Sequence, residues 1–351
     1  MKDNLAYKTD LETGRDNFCR LGAQVTPPTN IIYNEECEET MKRLPDKSIQ
    51  LIIADPPYYK IKGEFDWKWK TFEEYLDWME TLAVEFKRIL ADNGSLFVYS
   101  NVKNGSYVQV VFDKYFTLEN NIRWQKRREG LYGSSGSEQI RSFPPCSETI
   151  LFYSNEIVSI NGLCVNNTRD YIRNEIQRAK GKIIFKEVNA ALGTATNGGG
   201  VASAVLSLDK AEPAMITEES YNKLREWLNG GKDYEYLRKD YEDLRKDYED
   251  LRRPFRNLGY LDVIYFDNEQ TQNKDIKHET VKPLTLSKML VTTCSREKDL
   301  VYIPFVGSGT ECVAVNELNR KFIGSEINPK YVEIAEARIK GSRNNYDLFY
   351  D

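Results

Sequence analysis

The chain has 351 residues, 40% hydrophobic and 29% charged, which is enough to bury a sizeable core and suits two to three domains. Its formal net charge of −5 excludes a polyanion binder that works over its whole surface, so any nucleic-acid contact has to come from a local patch. Six cysteines without a CxxC spacing and a single histidine, His278, exclude a disulfide scaffold, a zinc ribbon and a histidine-rich metal centre, and predict reduced thiols in a cytoplasmic, metal-free protein.

Residues 1–29 are polar and end in Thr26-Pro27-Pro28-Thr29, which reads as an N-terminal arm. They contain no apolar h-region, and no run of 18 apolar residues occurs anywhere, so neither a signal peptide nor a membrane span is expected. From Ile31 the pattern changes. Ile31 to Tyr33 predicts a short strand, Glu36 to Leu44 a helix, and Ser48 to Ala54 a buried strand stopped by Pro56-Pro57. Phe72 to Ala91 carries apolar residues at helical spacing and closes at Asn93-Gly94. Ser95 to Ser100 predicts a strand, Tyr107 to Tyr115 a helix, Thr117 to Gln125 an extended stretch and Glu148 to Tyr153 a strand. Strands alternating with helices predict a mostly parallel α/β sheet.

The alternation stops over residues 155–268 and resumes after Lys282, with a helix at Leu284 to Thr293, strands at Asp299 to Phe305 and Lys321 to Ile327, and helices at Gly307 to Leu318 and Pro329 to Ile339. The middle region is predicted to be mostly helical. Tyr171 to Ala179, Phe185 to Leu192 and Val201 to Leu206, with Gly193 as a turn residue, are similar to a helix-turn-helix over 168–207, which would put Ser203 nearest a major groove. Residues 232–252 contain KDYEYLR, KDYEDLR and KDYEDLR, with Tyr at 234, 241 and 248 and Leu at 237, 244 and 251. That heptad stripe predicts one helix. It serves either as a spacer packed on its own chain or as the seam of a homodimer.

Asp55-Pro56-Pro57-Tyr58 directly follows the buried strand 48–54. Two prolines stiffen the backbone at the strand end and fix a carboxylate and a carbonyl at the carboxyl edge of a sheet, where α/β proteins bind ligands. Those two acceptors match the two donors of an exocyclic NH₂ group. Tyr58 adds a π-face for an unstacked base. As a bare turn, Asp-Pro-Pro is also ordinary chain-reversal chemistry. Pro304-Phe305-Val306-Gly307-Ser308-Gly309-Thr310 follows strand 299–305 and opens a helix, so a ligand can approach backbone N–H groups there. It lacks the third glycine of a dinucleotide fingerprint and the Gly-Lys-Ser/Thr of a P-loop. Glu326, 17 residues beyond Gly309, ends the next strand and is placed to hold two ribose hydroxyls.

Basic residues gather in two places. Arg123, Lys126, Arg127 and Arg128 form a run without an acid, and Arg169, Arg173 and Lys182 belong to a cation-rich stretch over 165–186. Both are candidate phosphate contacts, or solvated faces. Trp67 and Trp69, among Lys60, Lys62, Lys68 and Lys70, line a base channel or close a core edge.

These motifs together resemble the amino-specific DNA methyltransferases, over most of the chain. Asp55-Pro56-Pro57-Tyr58 matches that family's catalytic motif, and Phe305-Val306-Gly307-Ser308-Gly309 its S-adenosyl-L-methionine loop. Asn34-Glu35-Glu36-Cys37 looks like the stretch whose acid, Glu36, lies by the cofactor adenine. His278-Glu279-Thr280-Val281-Lys282-Pro283 looks like the HxTxKP segment, which places Thr280, Lys282 and Pro283 at the methionine end of the cofactor. The order of the motifs implies the permuted, β-type arrangement: a Rossmann-like, seven-stranded, mostly parallel sheet built from residues 30–154 and 276–343, with a target-recognition region inserted at 155–268. Two positions depart from the pattern. Ile303 stands where an Asp usually precedes Pro-Phe, and Ser147-Glu148 stands where His-Glu is common.

The resemblance implies transfer of a methyl group from S-adenosyl-L-methionine to N6 of adenine in duplex DNA by base flipping, without a metal. N4 of cytosine is the alternative acceptor, and a non-catalytic DNA-binding regulator the alternative of another class. One physical demand follows. Asp55 and Gly307 are 252 positions apart, so the strands that precede them have to be neighbours in one sheet.

Overall fold

The computed structural model describes residues 28–60, 68–126, 146–155, 160–196, 199–209, 214–231, 233–267 and 281–346. The arm up to residue 27, Lys62, Trp67, Arg127, Arg128, His278 and Thr280 lie outside the described residues.

β2 (Ile49–Ala54) reads Ile-Gln-Leu-Ile-Ile-Ala and is buried along nearly its whole length. Such a run belongs in the centre of a sheet covered on both faces. Its alternation sorts the core into two layers. Leu51 and Ile53 point to one face, with Phe97 and Tyr99 of β3 (Leu90–Ser100). Ile52 and Ala54 point to the other, with Leu96 and Val98. The first face is covered by α9 (Leu284–Cys294), α10 (Thr310–Glu317) and α11 (Pro329–Tyr346), the second by α1 (Cys37–Arg43), α2 (Phe72–Ile89) and α3 (Gly105–Phe112). α2 starts on a capping box, with the Thr71 side chain accepting from the Glu74 N–H at 3.1 Å. It ends two residues before the expected Ala91, because Leu90 already pairs with Ile49 and the chain turns straight into β3.

Among the described residues, eight strands form the sheet, in the order β1-β8-β7-β2-β3-β5-β4-β6, with β1 at Ile31–Tyr33, β4 at Thr117–Gln125, β5 at Ser147–Ser154, β6 at Val263–Tyr265, β7 at Leu300–Ile303 and β8 at Lys321–Ser325. The pairs from β1 across to β3 are all parallel, β5 runs antiparallel to both β3 and β4, and β6 is parallel to β4. The sequence predicts seven strands. The eighth is β6, three residues long, which pairs Arg123–Gln125 with Val263–Tyr265 and comes from the 155–268 segment. A three-residue edge strand has too short an alternation to be seen in sequence.

Among the described residues, five helices lie between β5 and β6: α4 (Ile160–Lys180), α5 (Phe185–Leu192), α6 (Gly200–Leu206), α7 (Glu218–Asn229) and α8 (Tyr241–Leu251). They enclose a core of their own around Ile172, Ile176, Val188, Leu192, Val205 and Leu224. α4 is much longer than the predicted Tyr171 to Ala179, and Gly193 ends α5 in the left-handed region, as its position suggests (φ 69°).

The heptad repeat is not one helix. Only α8 is helical; the preceding heptad is irregular, with Leu237 at φ 51°. Tertiary hydrogen bonds override the repeat there. The Leu237 N–H donates to Glu175 at 2.8 Å, the Arg225 Nε donates to the Leu237 carbonyl at 2.9 Å, and the Asn229 side chain accepts from the Glu235 and Tyr236 N–H groups. Leu237 and Leu244 are buried among the chain's own helices, whereas Leu251 is 43% exposed.

Candidate active site

β2 and β7 are adjacent and parallel, with Leu51 opposite Val301 and Ile52 opposite Tyr302. Asp55 lies four residues beyond Leu51, and Phe305 four beyond Val301. The proline-stiffened acid and the glycine turn therefore leave the sheet side by side, at its carboxyl edge.

Asp55 sits inside a cluster of charges and rings. Its Oδ1 accepts from the Tyr58 hydroxyl at 2.8 Å, and its Oδ2 from Nζ of Lys282 at 2.5 Å. The Lys282 ammonium is 5% exposed and lies 4.9 Å from the centre of the Tyr99 ring and 5.9 Å from that of Tyr58. It also lies 3.6 Å from Oε2 of Glu148, whose Oε1 is paired with Lys126. Burial alone would lower the pKa of Lys282, but Asp55 and Glu148 outweigh it and raise it. Burial would raise that of Glu148, and Lys282 and Lys126 reverse the sign. Glu311 lies deeper and accepts from the Ser287 hydroxyl at 3.1 Å; burial and the nearby Asp55 charge raise its pKa. Burial, with Asp55 second, raises the Tyr58 phenol well above its usual value. Pro56 is buried, and behind Tyr59 an aromatic group of Trp69, Phe72, Tyr75 and Trp78 backs the loop. Trp69 is part of that core edge rather than of an open channel.

The glycine turn is shaped by two left-handed residues, Gly307 (φ 51°) and Gly309 (φ 81°). A Cβ on Gly309 would fall 2.6 Å from Cβ of Ala335, so glycine also lets α10 approach α11. Glu326 ends β8 beside the turn. Its carboxylate accepts from the N–H groups of Gly307 and Asn328, both at 2.8 Å, and burial raises its pKa against those bonds. Ser308 and Thr310 are buried. Arg338 holds the Ser308 carbonyl at 2.6 Å and the Thr310 hydroxyl at 2.9 Å, so both shape the turn from within. Phe305 is half-buried against Trp78. Glu36 follows β1 at the same edge, because the Glu326 N–H bonds the Tyr33 carbonyl at 3.0 Å; its carboxylate pairs with Lys68 at 3.0 Å. Pro283 is buried at the start of α9.

These features fit S-adenosyl-L-methionine. The glycine turn lets a ligand approach the backbone at a helix start, Glu326 and Glu36 place carboxylates along the edge, and Asp55 stands one strand away.

The expected phosphate contacts divide. Arg169 is 8% exposed and donates to the Ser207 carbonyl, and the half-buried Arg173 donates to the Leu206 carbonyl, so both cap the end of α6. Lys126 is taken by Glu148, and Arg123 donates to the Thr149 hydroxyl at 2.7 Å. Lys182 is exposed. Sequence reasoning missed Tyr99, Glu148 and Glu311 as members of the cluster. For the last two the available signal was a carboxylate just ahead of an apolar run, Ile150 to Tyr153 after Glu148 and Cys312 to Val315 after Glu311.

Residues 49–337 match the family model for DNA methylases of the N6/N4 methyltransferase type, so the chain belongs to that family of amino-directed DNA methyltransferases. Among curated relatives, it is 25% identical over 311 residues to the DNA adenine methyltransferase YhdJ of Escherichia coli, covering 88% of this chain and 82% of the relative. It is 24% identical over 313 residues to the type II methyltransferase M.HpaI of Haemophilus parainfluenzae, covering 88% and 74%. Its fold is similar to that of the cytosine-N4-specific PvuII DNA methyltransferase, with a TM-score of 0.51, 14% identity and 90% of each chain covered.

Proposed function

We propose that this chain transfers the methyl group of S-adenosyl-L-methionine to the N6 amino group of adenine in duplex DNA, on a base flipped out of the stack. The observation that carries the reading is the parallel pairing of β2 with β7, which sets Asp55 and the Gly307 turn at one edge. The bound cofactor supplies an electrophilic methyl on a sulfonium centre. Gly307 and Gly309 bring the backbone close to it, with Glu326 and Glu36 as carboxylate partners and Lys282 and Pro283 beyond. Asp55 and the Pro56 carbonyl accept the two amino hydrogens, which orients the nitrogen lone pair and makes it more nucleophilic. The prolines and the aromatic group behind Tyr59 hold those acceptors in place before the base arrives, so the rate gain comes from positioning and preorganisation. No covalent adduct with the protein is needed.

The same acceptors suit N4 of cytosine. Asp at position 55 and the similarity to the DNA adenine methyltransferase YhdJ favour adenine. Incubation with methyl-labelled cofactor and mixed-sequence duplex DNA, followed by digestion to nucleosides, tests the choice. Label is expected in N6-methyldeoxyadenosine. Label in N4-methyldeoxycytidine replaces the base assignment, and DNA binding without label replaces the enzyme with a regulator.

A further inference from the structure

The acceptor that this reading needs is already engaged. Tyr58 occupies Oδ1 of Asp55 and Lys282 occupies Oδ2. The next acceptor within reach of the Lys282 ammonium is Oε2 of Glu148, at 3.6 Å, just beyond hydrogen-bond distance. That oxygen is buried and, among the described residues, has no hydrogen-bond partner. A buried carboxylate oxygen without a hydrogen bond is a ready receiver for a donor. The other oxygen of Glu148 is paired with Lys126, so that carboxylate is anchored, and the Lys282 ammonium lies between it and Asp55.

We propose that Lys282 is a two-position switch on Asp55, with Glu148 as its second seat. When an exocyclic amino group enters, the ammonium moves by roughly 1 Å from Asp55 to Glu148 and leaves Oδ2 free for the amino hydrogen bond. The inference rests on the methyltransferase reading and adds to it a role for two residues that do not touch the base. The move leaves the total charge of the cluster unchanged and keeps the Lys282 ammonium paired with a carboxylate at both positions. Without the amine, Asp55 is ion-paired and each of its oxygens already holds one donor. With it, Asp55 becomes a strong acceptor at the moment the base is seated. Lys282 and Glu148 are thus positioning residues.

Steady-state and single-turnover methyl transfer by the full chain test this with Glu148→Gln, Lys282→Met and the double variant. In Glu148→Gln the lysine stays on Asp55, so kcat falls about tenfold or more, while the KM for DNA and the Kd for cofactor stay within about twofold. In the double variant there is no lysine to move, so it is no slower than Lys282→Met alone, and Glu148→Asp recovers part of the lost rate. Turnover of Glu148→Gln within about twofold of the unaltered protein overturns the switch, as do losses that multiply in the double variant. Independently of any variant, a crystal structure with duplex DNA and a non-reactive cofactor analogue is expected to show Nζ of Lys282 within hydrogen-bond distance of Glu148 and withdrawn from Asp55. The ammonium still on Asp55 beside a seated base overturns it. Absence of transfer by the unaltered protein overturns the functional reading itself and the switch with it, an outcome distinct from failure in a variant alone.

Discussion

Nζ of Lys282 lies 2.5 Å from Oδ2 of Asp55, although 227 positions separate the two residues in sequence. One belongs to the segment leading into α9 and the other to the end of β2, so the two ends of the chain meet in one charged cluster at the sheet edge.

Asp55→Asn keeps the shape of the side chain and removes its charge. Methyl transfer is expected to fall by about 100-fold or more, because a preorganised acceptor is lost from the reacting nitrogen. Cofactor affinity, measured by calorimetry, is expected to stay within about threefold. Near-normal turnover would remove Asp55 from the reaction.

Gly309→Ala puts a methyl 2.6 Å from Cβ of Ala335 in a left-handed residue. Strain and overpacking together are expected to cost about 1–3 kcal/mol in urea unfolding, with cofactor binding weakened as the turn shifts.

The pH dependence of stability has opposite signs at two carboxylates. The folded pKa of Glu148 is depressed, because Lys282 and Lys126 outweigh burial. Its contribution is present above its unfolded value and is lost as the pH falls through the folded one. Glu148→Gln is therefore expected to destabilise at pH 7 and to lose that penalty in acid. The folded pKa of Glu311 is raised by burial and Asp55, so its ionised form burdens the fold at neutral pH. Glu311→Gln is expected to stabilise at pH 7, with the advantage fading below the ordinary carboxylate range. Chemical denaturation from pH 3.5 to 8 checks both signs.

Within the heptad repeat, Leu244→Ala is expected to cost about 2–4 kcal/mol, since the side chain is buried in the helical core, whereas Leu251→Ala is expected to be nearly neutral. Equal costs would contradict the broken repeat. Sedimentation of both variants shows whether oligomer state follows either leucine.

Lys182→Ala is expected to weaken binding to duplex DNA and to lower the salt slope by about one. Arg169→Ala acts elsewhere. It frees the Ser207 carbonyl and is expected to lower the stability of the helical segment without lowering that slope.

The sheet was legible because its central strands are buried on both faces: Ile49 to Ala54 and Leu300 to Ile303 read as strands from their apolar runs, and each is followed by a motif that fits an α/β sheet edge. The sequence also required the two strands to be neighbours, and Leu51 faces Val301. The repeat misled, because Leu237 takes its conformation from hydrogen bonds to Glu175 and Arg225, which lie on other helices and leave no local trace. Arg169 and Arg173 misled for the same reason, since a basic composition does not say whether a guanidinium meets a phosphate or a buried carbonyl. Glu148 drew notice only for the residue before it, and its pairing with Lys126 and Lys282 needed three distant segments to converge.

The most direct test is a crystal structure of the full chain with an unreactive cofactor analogue that carries an amine in place of the methyl-sulfonium centre. The methyl and the acceptor nitrogen have to approach within about 3 Å, and that nitrogen bonds Asp55 over a similar distance. The amine of the analogue is therefore expected within about 6 Å of the Asp55 carboxylate, with its ribose beside Glu326. An analogue bound away from the Gly307 turn, or with its amine pointing away from Asp55, would contradict the account.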